Sequence, residues 1–251
     1  MARGVTLITG ASAGLGAEFA RQCRKRGDEL VLVARRKERL EALAAELGST
    51  HVVAADLTEP GAPARVLAEV AGLGLEVDTL INNAGFGASG PFAEASPERL
   101  LGMIDLNVRA LTELTRLALP AMVERKRGAI LNVASTAAFQ AGPNMAVYYA
   151  GKAYVLSLTE AIHHEMKGKG VKVTALCPGP TATEFFEVAE SAGSTLAKMA
   201  TDPVAVVRAG LRGLHRNKAI VIPGFGNKMG AYGTRFMPRA ALRRIVARIK
   251  M

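Results

Sequence analysis

"VTLITGASAGLG", residues Val5–Gly16, is the stretch whose reading decides the fold. Its apolar start, Val5–Ile8, reads as a short buried strand, and the glycines behind it read as a tight turn opening a helix. Gly10, Gly14 and Gly16 permit positive φ and let a diphosphate approach the backbone. The helix start beyond them offers free N–H groups and a partial positive charge. The spacing is G-x3-G-x-G, not the G-x-G-x-x-G of the best-known dinucleotide fingerprint, and a plain strand–helix turn is the alternative. "GASAG" also fits the G-x-S-x-G of a hydrolase elbow, with Ser12 as nucleophile. That elbow follows several strands and an oxyanion loop, and nine residues before Gly10 leave room for neither.

Working outward, the same kind of run recurs at Leu30–Val33, His51–Ala54, Val77–Ile81, Ala129–Val133, Val171–Leu176 and Ala219–Ile222. Between the runs lie helical segments such as "RRKERLEALAAEL", "SPERLLGMIDLNVRALTELTRLALPAMVERK" and "AVYYAGKAYVLSLTEAIHHEM". Continuous apolar strands alternating with helices predict an α/β fold: a Rossmann-type, doubly wound parallel sheet with helices on both faces. Residues 1–251 form one domain in this reading, since no linker or repeat interrupts them.

The totals agree. At 251 residues and 49% hydrophobic content the chain can bury a large core. No apolar run reaches the roughly 20 residues of a membrane span, and "VTLITG" reads as structure, not as a cleaved leader. The expectation is a cytoplasmic protein. Cys23 and Cys177 are too few for a disulfide framework or a metal site, and His163–His164 lack metal-ligand spacing. Of the 32 Lys/Arg, eleven lie after Asp202, where there is no acid; the remaining 21 face 22 acids. The excess of +10 belongs to the tail, which argues against a nucleic-acid binder.

At the end of the second strand, "LVLVARR" puts Ala34, Arg35 and Arg36 where a NAD-binding unit usually carries an acid for the ribose 2′-hydroxyl. Arginines there suit a 2′-phosphate, so NADP(H) is the expected cofactor and NAD(H) the alternative. "NNAG" (Asn82–Gly85) and "NVAS" (Asn132–Ser135) end the fourth and fifth strands, at the edge where ligands of such sheets bind. In "VYYAGKA" Tyr148 lies four residues before Lys152, on the same helical face. A nearby cation favours the phenolate, so Lys152 is expected to lower the Tyr148 pKa and make it a usable general acid.

These residues resemble the short-chain dehydrogenase/reductase family: Thr9-Gly10-x3-Gly14-x-Gly16, Asn82-Asn83-Ala84-Gly85, Asn107, Ser135, Tyr148-x3-Lys152 and Pro178-Gly179, from the first strand to about Thr183. The resemblance implies a catalytic set of Asn107, Ser135, Tyr148 and Lys152. Tyr148 exchanges a proton with the substrate oxygen, Ser135 hydrogen-bonds that oxygen, Lys152 also binds the nicotinamide ribose, and Asn107 holds a water. It selects Tyr148 over Tyr149, which reads as packing. Cofactor contacts are expected from Gly10, Ser12, Ala13, Gly14, Leu15, Gly16, Arg35, Arg36, Asp56, Leu57, Asn83, Ala84, Gly85, Pro178, Gly179, Thr181 and Thr183. A substrate loop is expected at about 180–202 and a basic extension at about 223–251. Phe86, Phe139, Phe185 and Phe186 are either pocket lining or core. The expected substrate is a lipophilic carbonyl or alcohol, such as a ketoacyl chain or a steroid-like or terpenoid ketone, and the expected assembly is a homodimer or homotetramer. A non-catalytic dinucleotide-binding sensor or interaction protein on the same fold is the competing class. The tail stripe Leu242, Ile245, Val246 and Ile249 faces either the protein's own body or a sister subunit, or an anionic membrane in peripheral contact.

Overall fold

The computed structural model describes residues 3–184, 189 and 200–248. All seven apolar runs are strands: β1 (Arg3–Thr9), β2 (Leu30–Ala34), β3 (Thr50–Ala54), β4 (Leu75–Asn82), β5 (Gly128–Val133), β6 (Val171–Leu176) and β7 (Ile220–Val221). They pair in parallel as one sheet of order β3-β2-β1-β4-β5-β6-β7. The last strand is shorter than expected, because Pro223 just beyond it has no N–H for the ladder. The chain winds outward from β1 to β3, then crosses back to β4. The carboxyl ends of β1 and β4 therefore flank the point where strand order reverses, the place such sheets use for ligands.

Helices cover both faces: α1 (Gly14–Lys25), α2 (Lys37–Leu47), α3 (Ala62–Gly72), α4 (Pro97–Ile104), α5 (Leu111–Glu124), α6 (Ala146–Glu165), α7 (Pro203–His215), α8 (Phe225–Gly233) and α9 (Arg239–Arg248). Side chains alternate across the sheet. Leu7, Leu80 and Ile130 join Val66 and Val70 of α3 and Leu114 and Met122 of α5 in one core. Their neighbours Ile8, Ile81 and Leu131 join Phe19 of α1, Leu40 of α2 and Leu211 of α7 in the other. Each such side chain, fully removed from water, contributes about 1.5–3 kcal/mol before entropy is counted. That burial fixes the sheet and so the position of its polar edge.

The segment read as one long helix, residues 96–126, is divided. Ser96 caps α4 by accepting the Arg99 N–H at 3.2 Å, with Pro97 at the first helical position, where no N–H is needed. A π turn, Asp105–Ala110, then joins α4 to α5. Such turns carry an extra residue and recur at functional sites; here the π turn carries Asn107.

The basic end of the chain does not stand apart from the body. Arg208, Arg212 and Arg216 on or just past α7 share a groove of about 640 Å³ with Lys25 and Arg26 at the end of α1. Part of the charge excess read as a tail property is thus laid against the first helix. In α9, Leu242 and buried Val246 pack with Ala137, Met145 and Tyr149, while Ile245 is 46% exposed. Half of the apolar stripe is spent on the protein's own body; Ile249 lies outside the described residues. No helix among the described residues is long and apolar enough to cross a membrane.

Candidate active site

The turn after β1 is stitched to the end of β4. Thr9, buried, uses its hydroxyl to accept the N–H groups of Asn83 and Ala84, both at 3.0 Å. Asn83 in return donates its amide to the carbonyls of Thr9 at 2.9 Å and Gly10 at 3.3 Å. Two glycines are required by this closeness. Gly10 has φ +65°, and a Cβ on Gly16 would lie 2.1 Å from the Gly10 carbonyl oxygen. Helix α1 begins from Ala13 with no side-chain cap, so the cap residue offers its first N–H groups no acceptor. A bare backbone cradle at a helix start suits an anionic group.

A second layer of polar side chains runs under the edge. Asn82 donates to Thr115 at 3.0 Å and to Asn132 at 2.9 Å; Asn132 donates to Thr159 of α6 at 3.0 Å. Buried amides are costly unless bonded, so these links tie the ends of β4 and β5 to α5 and α6. Upon that layer stands the expected catalytic set. Ser135, just past β5, shares a hydrogen bond with the Tyr148 phenol and accepts the Ala137 N–H at 3.1 Å. Its hydroxyl also faces the Pro178 carbonyl at 3.5 Å. The Lys152 amine, buried, donates to the Val133 carbonyl at 2.7 Å and lies 5.8 Å from the centre of the Tyr148 ring.

The electrostatics differ from expectation. Burial pushes the Tyr148 phenol up to about 12, only partly offset by the Ser135 hydrogen bond, and pulls the Lys152 amine down to about 8. The expected lowering of the tyrosine by the lysine is overruled, because desolvation penalises the charged form of each and the amine is directed at Val133. At neutral pH the pair is a protonated phenol beside a protonated amine. Asn107, expected to hold a water, turns its side chain to the backbone of Phe86. Its amide donates to the Phe86 carbonyl at 2.8 Å and accepts the Phe86 N–H at 3.1 Å. The side chain clamps the backbone after Gly85, where a Cβ would come within 2.9 Å of the Asn107 oxygen and 3.6 Å of the Lys152 amine.

Tyr149 is packing, as expected. It is 8% exposed, edge-on to Tyr148 and seated on Gly142, where a Cβ would intrude at 2.3 Å. Phe139 meets Tyr232 of α8 edge-on, a packing contact; Phe86 lies over Gly102 of α4. Phe185 and Phe186 lie outside the described residues. His163 bonds the Val173 carbonyl at 2.7 Å, which anchors α6 to β6. Buried Cys177 is pushed up to about 12 by its surroundings and is an unreactive thiol at neutral pH.

The remaining expected cofactor residues fall into three groups. Asp56 accepts the Thr58 N–H and hydroxyl, and Arg35 approaches it at 3.7 Å; burial alone would raise its pKa, but these partners hold it below the usual range. Leu57 is buried in the core beside it. Thr181 bonds the Gly179 carbonyl, and Thr183 sits against Gly14, 3.1 Å from where a Cβ would be. Arg36 donates to Ser12 at 3.1 and 3.2 Å and to Glu184 at 3.0 Å. Arg39 donates to the same carboxylate at 2.6 Å. No sequence pattern singles out Arg39 or Glu184; an arginine one turn into a helix reads as surface until its partner is seen.

A doubly wound parallel sheet with a glycine cradle and a serine–tyrosine–lysine group at its carboxyl edge places the molecule among Rossmann-type proteins. The pattern of the short chain dehydrogenases matches residues 4–192, and the chain belongs to that family of oxidoreductases. It is 38% identical over 184 residues to serine 3-dehydrogenase of Rhizobium radiobacter, covering 72% of this chain and 74% of the relative. Among solved structures it resembles a short-chain dehydrogenase from Sphingobium yanoikuyae in complex with NADPH, with a TM-score of 0.83, 33% identity and coverage of 99% and 97% of the two chains. It also resembles a 7beta-hydroxysteroid dehydrogenase, with a TM-score of 0.87, 28% identity and coverage of 98% and 96%.

Proposed function

We propose that the protein interconverts a carbonyl and an alcohol with NADP(H), acting as a reductase of a lipophilic ketone or ketoacyl compound. The observation that carries this reading is the hydrogen-bonded Ser135–Tyr148 pair with the buried Lys152 amine beneath the same ring. The residues present fit a phosphorylated dinucleotide. The Gly10–Gly16 cradle would hold the diphosphate, Arg36 and Arg39, which follow β2 and share the Glu184 carboxylate, would take the 2′-phosphate, and Lys152 would reach the ribose beside Gly85. The bound cofactor would supply the hydride at the carbonyl carbon. The resemblance to an NADPH complex supports NADP(H).

The chain's own residues handle the proton. Tyr148, kept protonated by burial, donates to the substrate oxygen; Ser135 donates a hydrogen bond to the same oxygen as negative charge develops there. Lys152 remains charged below about pH 8 and offsets the phenolate left behind. The apolar group of Ala137, Met145, Tyr149, Leu242 and Val246, packed beside Tyr148, supports a lipophilic substrate. The steroid dehydrogenase likeness points the same way, although the serine dehydrogenase likeness marks the range of the family. Exposed Leu101 and Ile104 of α4, Leu117 of α5 and Tyr154 of α6 support assembly into a homodimer or homotetramer.

The test is a panel of lipophilic ketones and alcohols followed by NADPH absorbance, run beside Tyr148→Phe. Turnover should fall by about 10²–10⁴-fold in the variant while cofactor affinity holds, since only the acid is removed. Cofactor binding with no turnover across the panel favours a sensor instead, and a variant that retains most activity removes Tyr148 from its role.

A further inference from the structure

Glu184 lies at the start of the segment that follows Gly179, and its partners are 148 and 145 residues away in sequence, at the start of α2. One carboxylate oxygen takes Arg36 at 3.0 Å and the other takes Arg39 at 2.6 Å. Arg36 is itself held by Ser12 of the glycine turn through two nitrogens, at 3.2 and 3.1 Å. The Arg39 hydrogen bond, with that of Arg36, holds the carboxyl below the usual carboxylate range despite some burial, so it is ionised at neutral pH. The outcome is an oxyanion bridging two guanidiniums beside the diphosphate cradle. That is also the arrangement in which paired arginines take up a phosphate.

We propose that Glu184 is a built-in competitor for the 2′-phosphate of NADP(H), occupying Arg36 and Arg39 until the phosphate displaces it, and so sets how strongly the protein prefers NADP(H) over NAD(H). The proposal rests on the NADP(H) reading above. A phosphate monoester carries close to two negative charges and three acceptor oxygens against one charge and two oxygens for Glu184, so it wins both arginines. The exchange costs binding energy for a phosphorylated cofactor and none for NAD(H), which has no group to place there. Glu184 thus narrows a discrimination that the arginines alone would make wider. Arg39 is a partner in that discrimination; Arg35 is turned instead toward Asp56.

The experiment measures dissociation constants of NADPH, NADH, 2′,5′-ADP and 5′-ADP for the full chain and for Glu184→Gln and Arg39→Gln. Exposed pairs of this kind contribute up to about 1 kcal/mol and bidentate ones somewhat more, which converts to roughly a three- to tenfold change in affinity. Glu184→Gln should therefore bind NADPH and 2′,5′-ADP about three- to tenfold more tightly and leave NADH and 5′-ADP within about twofold. Arg39→Gln should weaken 2′,5′-ADP and leave 5′-ADP unchanged. If the unaltered protein distinguishes 2′,5′-ADP from 5′-ADP but Glu184→Gln does not shift that ratio, the competitor role is overturned and the NADP(H) reading stands. Equal tightening of all four ligands, or weaker NADPH binding, overturns it as well. If the unaltered protein binds 2′,5′-ADP no better than 5′-ADP, the NADP(H) reading itself falls.

Discussion

The carboxyl edge of β1, β4 and β5 and the last two helices solve opposite problems. At the edge, polar groups are buried and bonded to one another: Thr9 to Asn83, Asn82 to Asn132, Asn132 to Thr159, Lys152 to Val133. In α8 and α9, and the turn between them, apolar groups stand in solvent, with Phe225 82% and Phe236 88% exposed. A buried polar group must have its partner in a fixed place, so the edge is rigidly specified. An exposed apolar group specifies little; among the described residues, buried Ala231 and Val246, with Leu242 and the Tyr232–Phe139 contact, anchor the extension to the body. The chemistry sits where the chain has least freedom, and the covering helices sit where it has most.

The hardest blow to that contrast falls in the glycine turn. Gly16→Ala puts a carbon about where the Gly10 carbonyl oxygen already lies, at 2.1 Å, against backbone that cannot rotate away. A loss of roughly 1–3 kcal/mol of stability, with cofactor affinity falling alongside, is expected in chemical denaturation and titration. The corresponding change in the extension, Gly230→Ala, meets nothing within 4 Å and should leave stability unchanged or slightly raised. Equal effects at the two sites would mean that the cradle is no more tightly specified than the tail.

A second measurement concerns the buried pair. The Lys152 amine titrates at about 8, so it is charged below that pH and neutral above it; Tyr148, at about 12, stays protonated throughout. In the reductive direction kcat/KM should fall as pH rises through about 8, approaching about tenfold per pH unit. Unfolding does not account for this fall. A lysine whose folded pKa is depressed adds stability above its unfolded value, near 10.5, and loses it as pH falls through 8. Tyr148, raised from 10, takes stability away only as pH climbs from 10 toward 12. From pH 8 to 10 the activity should therefore drop while these two groups make the fold slightly more stable. A flat rate profile to pH 10 would remove the lysine charge from the reaction.

How far each region is legible in the sequence follows from the range of its contacts. The strands, the cradle and the Tyr148–Lys152 pairing rest on spacing within a few residues, where periodicity fixes which side chains meet, and the structure keeps them. The direction of the Tyr148 shift runs against the local expectation, because it depends on how deeply the β5–α6 junction is buried, which no local pattern records. Arg39 with Glu184 is out of reach for a similar reason: their pairing is made by the chain returning from β6 across 145 residues. The π turn at Asn107 likewise leaves no mark in a helical pattern that continues on both sides.

The tail stripe carries the gentlest effects and draws the finest distinction. Periodicity places Leu242, Ile245 and Val246 on one face but cannot say what that face will meet, and the fold splits it. Val246 is buried at 4% exposure against Met145 and Tyr149, while Ile245 is 46% exposed. Val246→Ala should cost about 1–2 kcal/mol by opening a small cavity behind the catalytic helix, and Ile245→Ala should cost less than about 0.5 kcal/mol. Because the cavity lies under Tyr149, next to the acid, the first change should also raise KM for a lipophilic ketone, and the second should not. If both variants melt with the parent protein, α9 does not hold to the body in solution, and the stripe is free for a membrane or a second copy after all. A Val246 loss with no movement in KM would leave α9 as a brace for α6 with no bearing on substrate binding.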